Sequence, residues 1–597
     1  MVKPSIASLK PYLAPLLLHS TGTSTPAVLI DALRNEIEAA IERPSNPTRV
    51  LLGRARSQAA GGVRIKVIEY AEERTPPWAP NSGYRDVSHH LVIVAVKRGY
   101  AAICASDPAL RNRLAKCLVA ATPVARDTLE RAFVGTRAKA MWLNGIHPQT
   151  DAKPTAKTLM GSALEYSLDP LGDQSFYYSA VRSHVDLSRP GTGSAAVLVG
   201  ASPDAGHIWI NRPDNWSNFV VDLEAVLDAV ATPPPAVRRF HALARTVSNI
   251  MGVSDAYDIA LVPPELLTDL EVDPVTRELA TRWAYTAQFA ITATNGLSAT
   301  ASVHLGSVYI GTVDVHVVST GDQVTVSLNW ADSPVGQESE RQECESVLAN
   351  PQWLKIYYES GHTIAQGRCF LTSYQDQPFT WRFEAMAGFD VATEKPALLP
   401  GRSLADCIGE LKANGQPDDS LFSYILNVMF PHGWLASDDG AMEFADFVHI
   451  DDASHTVTLV HAKAARSGDL NRQVSASLYE VVVGQAVKNL RHLVNTTLEQ
   501  ELTRGRNDQI ARAVWHNGVR QPDRAGIIAR AQQLPSNHPR RVIILQPQLT
   551  RQEHDLCRSG QATPTRLLKM HQLDTLMLAA ELSAKAVGAT LTGWSAA

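Results

Sequence analysis

With 597 residues the chain is too long for one hydrophobic core, and about three domains are expected. Hydrophobic residues at 45% against 19% charged exclude extensive disorder. The formal net charge of -5 excludes a globally basic surface, so any nucleic-acid-binding face must be local.

Residues 1–150 read as an N-terminal α/β domain. Val63 to Tyr70 and Leu91 to Cys104 are strand-like, and Pro108 to Ala120 has helical spacing behind an Asp107 start signal. Residues 151–235 read as a second α/β unit. Its β runs are Ala195 to Gly200 and His207 to Asn211, and Ser217 to Ala231 is an amphipathic helix with Ser217 as N-cap. Pro233-Pro234-Pro235 stiffens the chain and marks a boundary.

Residues 236–400 form a β-rich middle domain. Thr292 to Leu328 alternates Val, Thr, Ile and Tyr between Gly turns, as half-buried antiparallel strands do, and Leu354 to Tyr358 and Phe379 to Phe383 extend that character. A softer stretch from Pro396 to Arg402 precedes the C-terminal domain, 401–597. No repeat of fixed period and no low-complexity tract is present.

The chemistry concentrates in that last domain. An acidic strand, Glu443 to Ile450, leads through a turn into a second strand, Thr456 to Lys463, and then into a helix from about Ser475 to His492 carrying Gln485, Lys488 and Asn489. Strand alternation puts His461 and Lys463 on one face and Ala462 on the other, with Asp446 on the neighbouring run. A carboxylate that holds a divalent metal, beside a lysine that positions water or offsets transition-state charge, can do phosphodiester chemistry.

This arrangement resembles the PD-(D/E)xK, or restriction-endonuclease-like, nucleases. In that family an Asp on one strand is followed by acid-x-Lys on the next, and in RecB-like branches often by a helix Gln. By position Asp446 matches the first acid, Lys463 the lysine and Gln485 the helix glutamine. A preceding helix (Ser420 to Met429) and a later strand (Arg541 to Gln546) complete the order, over roughly 405–550. His461 stands where the family has an acid, and imidazole is a poor Mg²⁺ ligand. The missing carboxylate is expected from Glu480 on the helix, slightly favoured, or from Glu443. The resemblance implies a C-terminal restriction-endonuclease-like core with a central mixed sheet, within a multidomain α/β and β chain. It further implies Mg²⁺ or Mn²⁺ on Asp446, Glu480 or Glu443 and the Ala462 carbonyl.

Between Lys463 and Arg551 stand fourteen Lys and Arg against six Asp and Glu. Arg466, Arg472, Lys488, Arg491, Arg504, Arg506, Arg540 and Arg541 are candidate phosphate contacts, a solvated basic face being the bland alternative. Other candidates weigh less. No GxxxxGK[ST] occurs, Gly191 to Ser194 precedes a strand, and Ser360 and His362 lack a GxSxG elbow. His449, His455 and His461 match no common zinc spacing, and Trp142, Trp209, Trp216, Trp353 and Trp434 read as core or interface anchors.

The six cysteines are scattered without a CxxC pair and suit free thiols in a reducing cytosol. Tyr12 to Leu18 is apolar but interrupted by Pro15, too short to cross a membrane. The expectation is a cytoplasmic, metal-dependent nuclease cleaving DNA or RNA, by analogy an effector subunit of a bacterial anti-phage system. The alternative is a non-catalytic nucleic-acid-binding or scaffold subunit beside a helicase or nuclease partner.

Overall fold

The computed structural model describes residues 3–597 apart from 23–24, 43–47, 77, 80, 149–152, 190–192, 248, 265–273, 321–322, 333, 349–352, 375, 440–443, 496 and 505–511. The chain is mixed α/β, with two large antiparallel sheets and a C-terminal mixed sheet. The first sheet has twelve strands and takes members from both sides of residue 150, so 1–150 and 151–235 share one sheet.

Strict alternation gives this sheet two cores. On strand Asp86–Lys97, Val92, Val94 and Val96 pack against the helix Pro26–Glu42 through Leu29, Leu33 and Ile37. Ile93 and Ala95 turn to the opposite core, which the helix Trp216–Ala231 closes with Phe219, Leu223 and Val226. The expected run Leu91 to Cys104 is a hairpin, Asp86–Lys97 into Tyr100–Ala105. Arg98 and Gly99 both take positive φ, 50° and 79°, the two-residue turn that matches strand twist. The helix cap also differs by two residues: the Asn215 side chain, not Ser217, accepts the Asn218 N–H.

The second sheet has nine strands between Arg245 and Leu371. Thr292 to Leu328 falls in a meander of four of them, Ala287–Asn295, Ser298–Leu305, Val308–Thr320 and Gln323–Asp332. Trp381–Glu384 lies outside that sheet and pairs in parallel with Thr590–Ala596, at one edge of the third.

That third sheet has eight strands. Trp434–Ser437, Phe447–Ile450 and Val457–Ala462 form an antiparallel meander. Val457–Ala462 then pairs in parallel with Arg540–Thr550, and that strand in parallel with Thr590–Ala596. A crossover between parallel neighbours needs a long connection, and its first part is the helix Ser477–Asn489. This helix and Pro564–Ala586 cover one face, whereas the short helix Leu421–Tyr424, widening into a π-turn at Ile425–Met429, lies in the core of the other.

Candidate functional site

Asp446 and Lys463 sit just off the ends of neighbouring antiparallel strands, Asp446 before Phe447–Ile450 and Lys463 after Val457–Ala462. The register Phe447↔Val460 brings these two ends together. Asp446 is buried, and its Oδ2 accepts the Ala462 N–H at 2.8 Å. The Lys463 N–H donates to the Leu545 carbonyl at 2.9 Å, which closes the last pair of the parallel ladder, Ala462 with Leu545.

The Lys463 ammonium lies 2.9 Å from Glu394 Oε2, with side-chain exposures of 47% and 16%. The lysine is therefore reachable from outside while its partner is mostly enclosed. Glu394 is held by its own backbone, whose carbonyl accepts the Phe422 N–H at the start of the short helix. Lys395 adds contacts of 2.8 Å to Asp439 and 3.8 Å to Glu394. Burial pulls the Lys395 ammonium down, but Asp439, Glu394 and Asp446 outweigh it and hold it above the usual lysine range. Asp439 and Glu394 thus pair with Lys395 and Lys463, and Asp446 is near enough for its charge to act on Lys395. Beneath them Arg524 and Asp438 form a buried pair at 2.9 Å, with side chains 4% and 1% exposed.

His461 does not join this group. It is 0% exposed, and neither ring nitrogen has a hydrogen-bond partner among the described residues. Alternation along the strand puts it on the face of Leu459, opposite Val460 and Ala462. Lys463 lies past the last paired residue, so alternation no longer ties it to the His461 face. Burial alone pushes the imidazole down to about 4, leaving it neutral near pH 7.

Glu480 is also elsewhere. Its Oε2 accepts the Tyr257 hydroxyl at 2.9 Å, so the carboxyl faces the middle sheet. Gln485 lies about 140° around the helix from Glu480, taking about 100° per residue, so the two point away from each other. Gln485 is half-buried there, and Glu443 lies outside the described residues.

The basic residues divide between two ends of the sheet. Arg466 is exposed just past Lys463, whereas Arg540 pairs with Val457 at the other end of the ladder. Five residue steps separate these ends, about 17 Å. Arg541 is exposed beside Arg540, whose guanidinium donates to the Leu493 carbonyl. Arg472 is no phosphate contact as it stands: it is buried, donating to the Asp469 and Pro547 carbonyls at 2.6 and 2.7 Å. Arg491 and Arg504 are exposed, Lys488 is half-buried, and Arg506 lies outside the described residues.

Ser360 and His362 are 3.1 Å apart, but Ser360 is fully buried and its Oγ accepts the Ser254 N–H, which leaves no access for a substrate. Gly193 opens the strand Gly193–Ser202, while Gly191 and Thr192 lie outside the described residues. His449 is buried against the His432 carbonyl, and His455 contacts Arg530 in the turn, so the histidines do not converge.

Among the described residues no three His, Cys, Asp or Glu side chains form a metal cage. Mg²⁺ asks for less, since one or two carboxylates with water and substrate phosphate suffice. Asp446 at the strand end and Glu394 on the exposed lysine are oxygen donors of that kind. Glu394 escaped the sequence reading because nothing in Thr393-Glu394-Lys395-Pro396 marks a strand or a motif, and only the folded chain returns it to Lys463. None of the described helices is long and apolar enough to cross a membrane. No protein-family model matches the chain, and no curated protein matches its sequence.

Proposed function

We propose that the C-terminal domain is a restriction-endonuclease-like unit that hydrolyses phosphodiester bonds of DNA, or of RNA, with Mg²⁺ or Mn²⁺. The observation that carries this reading is that Asp446 and Lys463, the latter paired with Glu394, stand at adjoining ends of a meander continued by a helix and a parallel strand. Ligands in open α/β sheets bind beyond the carboxyl ends of the parallel strands, which is the end these residues occupy.

Asp446, fixed by the Ala462 amide, and Glu394 would hold the cation. A bound Mg²⁺ or Mn²⁺ polarises the scissile phosphate and lowers the pKa of its water. Lys463 orients that water or offsets negative charge developing on the phosphate. Glu394 leaves its ion pair with Lys463 as substrate arrives, and Lys395 retains it from the other side. Arg466, exposed beside Lys463, meets the flanking phosphate. The two antiparallel sheets would recognise a trigger or a partner, and the effector role in anti-phage defence is an analogy from domain arrangement.

A second reading rests on His461, which replaces an acid with a buried neutral ring. On it the domain is a non-catalytic nucleic-acid-binding scaffold acting with a helicase or nuclease partner. Incubation with plasmid, single-stranded DNA and RNA in Mg²⁺ or Mn²⁺ separates the two. Cleavage by the wild type, abolished in both Asp446→Ala and Lys463→Ala, supports the nuclease. Binding without cleavage, unchanged in either variant, supports the scaffold.

A further inference from the structure

A cavity of about 510 Å³ lies away from the strand-end carboxylates, where the three sheets meet. That volume is in the range of sites for small organic ligands. One wall is apolar and belongs to the two C-terminal helices, through Val483, Val487, Leu576 and Ala580. A second is aromatic, with Tyr257, Tyr357 and Tyr374. The third comes from the N-terminal unit and is polar.

On that polar wall the Lys153 ammonium donates to Ser175 Oγ at 2.8 Å and has no carboxylate at ion-pair distance among the described residues. Burial first, and then Lys157, bring Lys153 down to about 8, so it stays mostly charged at neutral pH. Lys157 is neutralised by Asp173 at 2.7 Å. Glu480, also on the wall, is raised to about 8 by burial, and its carboxyl is engaged by the Tyr257 hydroxyl at 2.9 Å rather than by Lys153. Two further groups lack partners: the Oε1 atoms of Gln174 and Gln572, on side chains 5% and 8% exposed, accept no hydrogen bond from the described residues. Buried acceptors, and a half-buried ammonium with no carboxylate partner among the described residues, are costly unless something completes them.

We infer that this cavity binds a small aromatic monocarboxylate bearing an N–H or O–H donor. Its carboxylate would sit on Lys153, its donor on a glutamine Oε1, and its ring between the tyrosines and the helix wall. Of the two lysines that line the cavity only Lys153 lacks a carboxylate partner among the described residues, which suits a monoanion better than a dianionic phosphate, whose second charge would be left unpaired. The inference does not rest on the nuclease reading, since the cavity shares no residue with Asp446, Glu394 or Lys463.

The probe is 8-anilinonaphthalene-1-sulfonate, an aromatic monoanion with an N–H, beside N-phenyl-1-naphthylamine, which lacks the sulfonate. Binding of both is followed by fluorescence titration on the full chain. Lys153→Met is expected to weaken the anionic probe by at least about tenfold, the value of one charge-assisted contact, and to leave the neutral probe within about twofold. Gly484→Phe is expected to block both, because a Cβ at Gly484 meets nothing within 4 Å and the ring fills the cavity that Gly484 lines. Retained binding of the neutral probe by Lys153→Met shows that this variant is folded. Indole-3-acetate is expected to displace the anionic probe, and inorganic phosphate is not. Equal affinity of the anionic probe for wild type and Lys153→Met overturns the inference, as does undiminished binding by Gly484→Phe. Displacement by phosphate overturns the monocarboxylate assignment.

Discussion

Replacing His461 by leucine should make the C-terminal sheet more stable, and increasingly so in acid. The ring is 0% exposed and both nitrogens lack partners among the described residues, so the wild type carries buried polar atoms that contribute nothing. Each such atom costs roughly 1–3 kcal/mol, and leucine fills a similar volume without one, so a gain of about 1–2 kcal/mol is expected at pH 7. The pH dependence follows from a folded pKa near 4 against about 6.5 for an unfolded histidine. Between those values the unfolded chain binds a proton that the folded chain refuses, so wild-type stability falls as pH drops through this window. The loss is about 2 kcal/mol at pH 5 and about 3 kcal/mol at pH 4, and the His461→Leu variant would be spared it. Native-state hydrogen exchange at the amides of Val457–Ala462, corrected for intrinsic rates, reads the opening free energy of this sheet alone. A variant less stable than wild type at pH 7 would refute the reasoning. So would a difference that stays constant between pH 7 and pH 5.

Arg524→Met should destabilise the C-terminal sheet by about 3–5 kcal/mol, seen as an earlier thermal transition, because it removes the cation 2.9 Å from Asp438, whose side chain is 1% exposed. Glu394→Gln should cost under about 1 kcal/mol in the same melt, since its partner Lys463 is half-exposed. Gly526→Ala should cost about 1–3 kcal/mol, because its Cβ would fall 2.1 Å from the Trp434 ring. Arg472→Met should lower stability by about 2 kcal/mol without changing DNA affinity in a filter-binding titration, as its guanidinium is spent on backbone carbonyls. Arg466→Ala should do the reverse.

Local pattern carried the fold reading where one face of an element is buried. Leu354–Tyr358 is a strand with the expected ends, and the Asp107 side chain caps the helix Pro108–Cys117. Pairing was not legible. Phe379 to Phe383 reads as one more strand of a β-rich middle stretch, yet the strand found there, Trp381–Glu384, pairs with Thr590–Ala596, and no local signal encodes so distant a neighbour. In the site, Asp446 and Lys463 could be associated because a short turn joins their strands. Glu394 could not, since it arrives from an irregular segment fixed by the helix at Leu421. For Glu480 the helix was legible but not its rotation, and the rotation turns the carboxyl to Tyr257.

On the proposed nuclease reading Glu394, rather than His461, completes the site with Asp446 and Lys463. The direct measurement is the single-turnover cleavage rate of wild type, Glu394→Gln and His461→Leu on one DNA substrate in Mg²⁺. Cleavage by wild type and by His461→Leu is expected at similar rates, with Glu394→Gln slower by at least about a hundredfold, as follows from losing a carboxylate that would hold the cation. Loss of cleavage in His461→Leu with Glu394→Gln unaffected would contradict it.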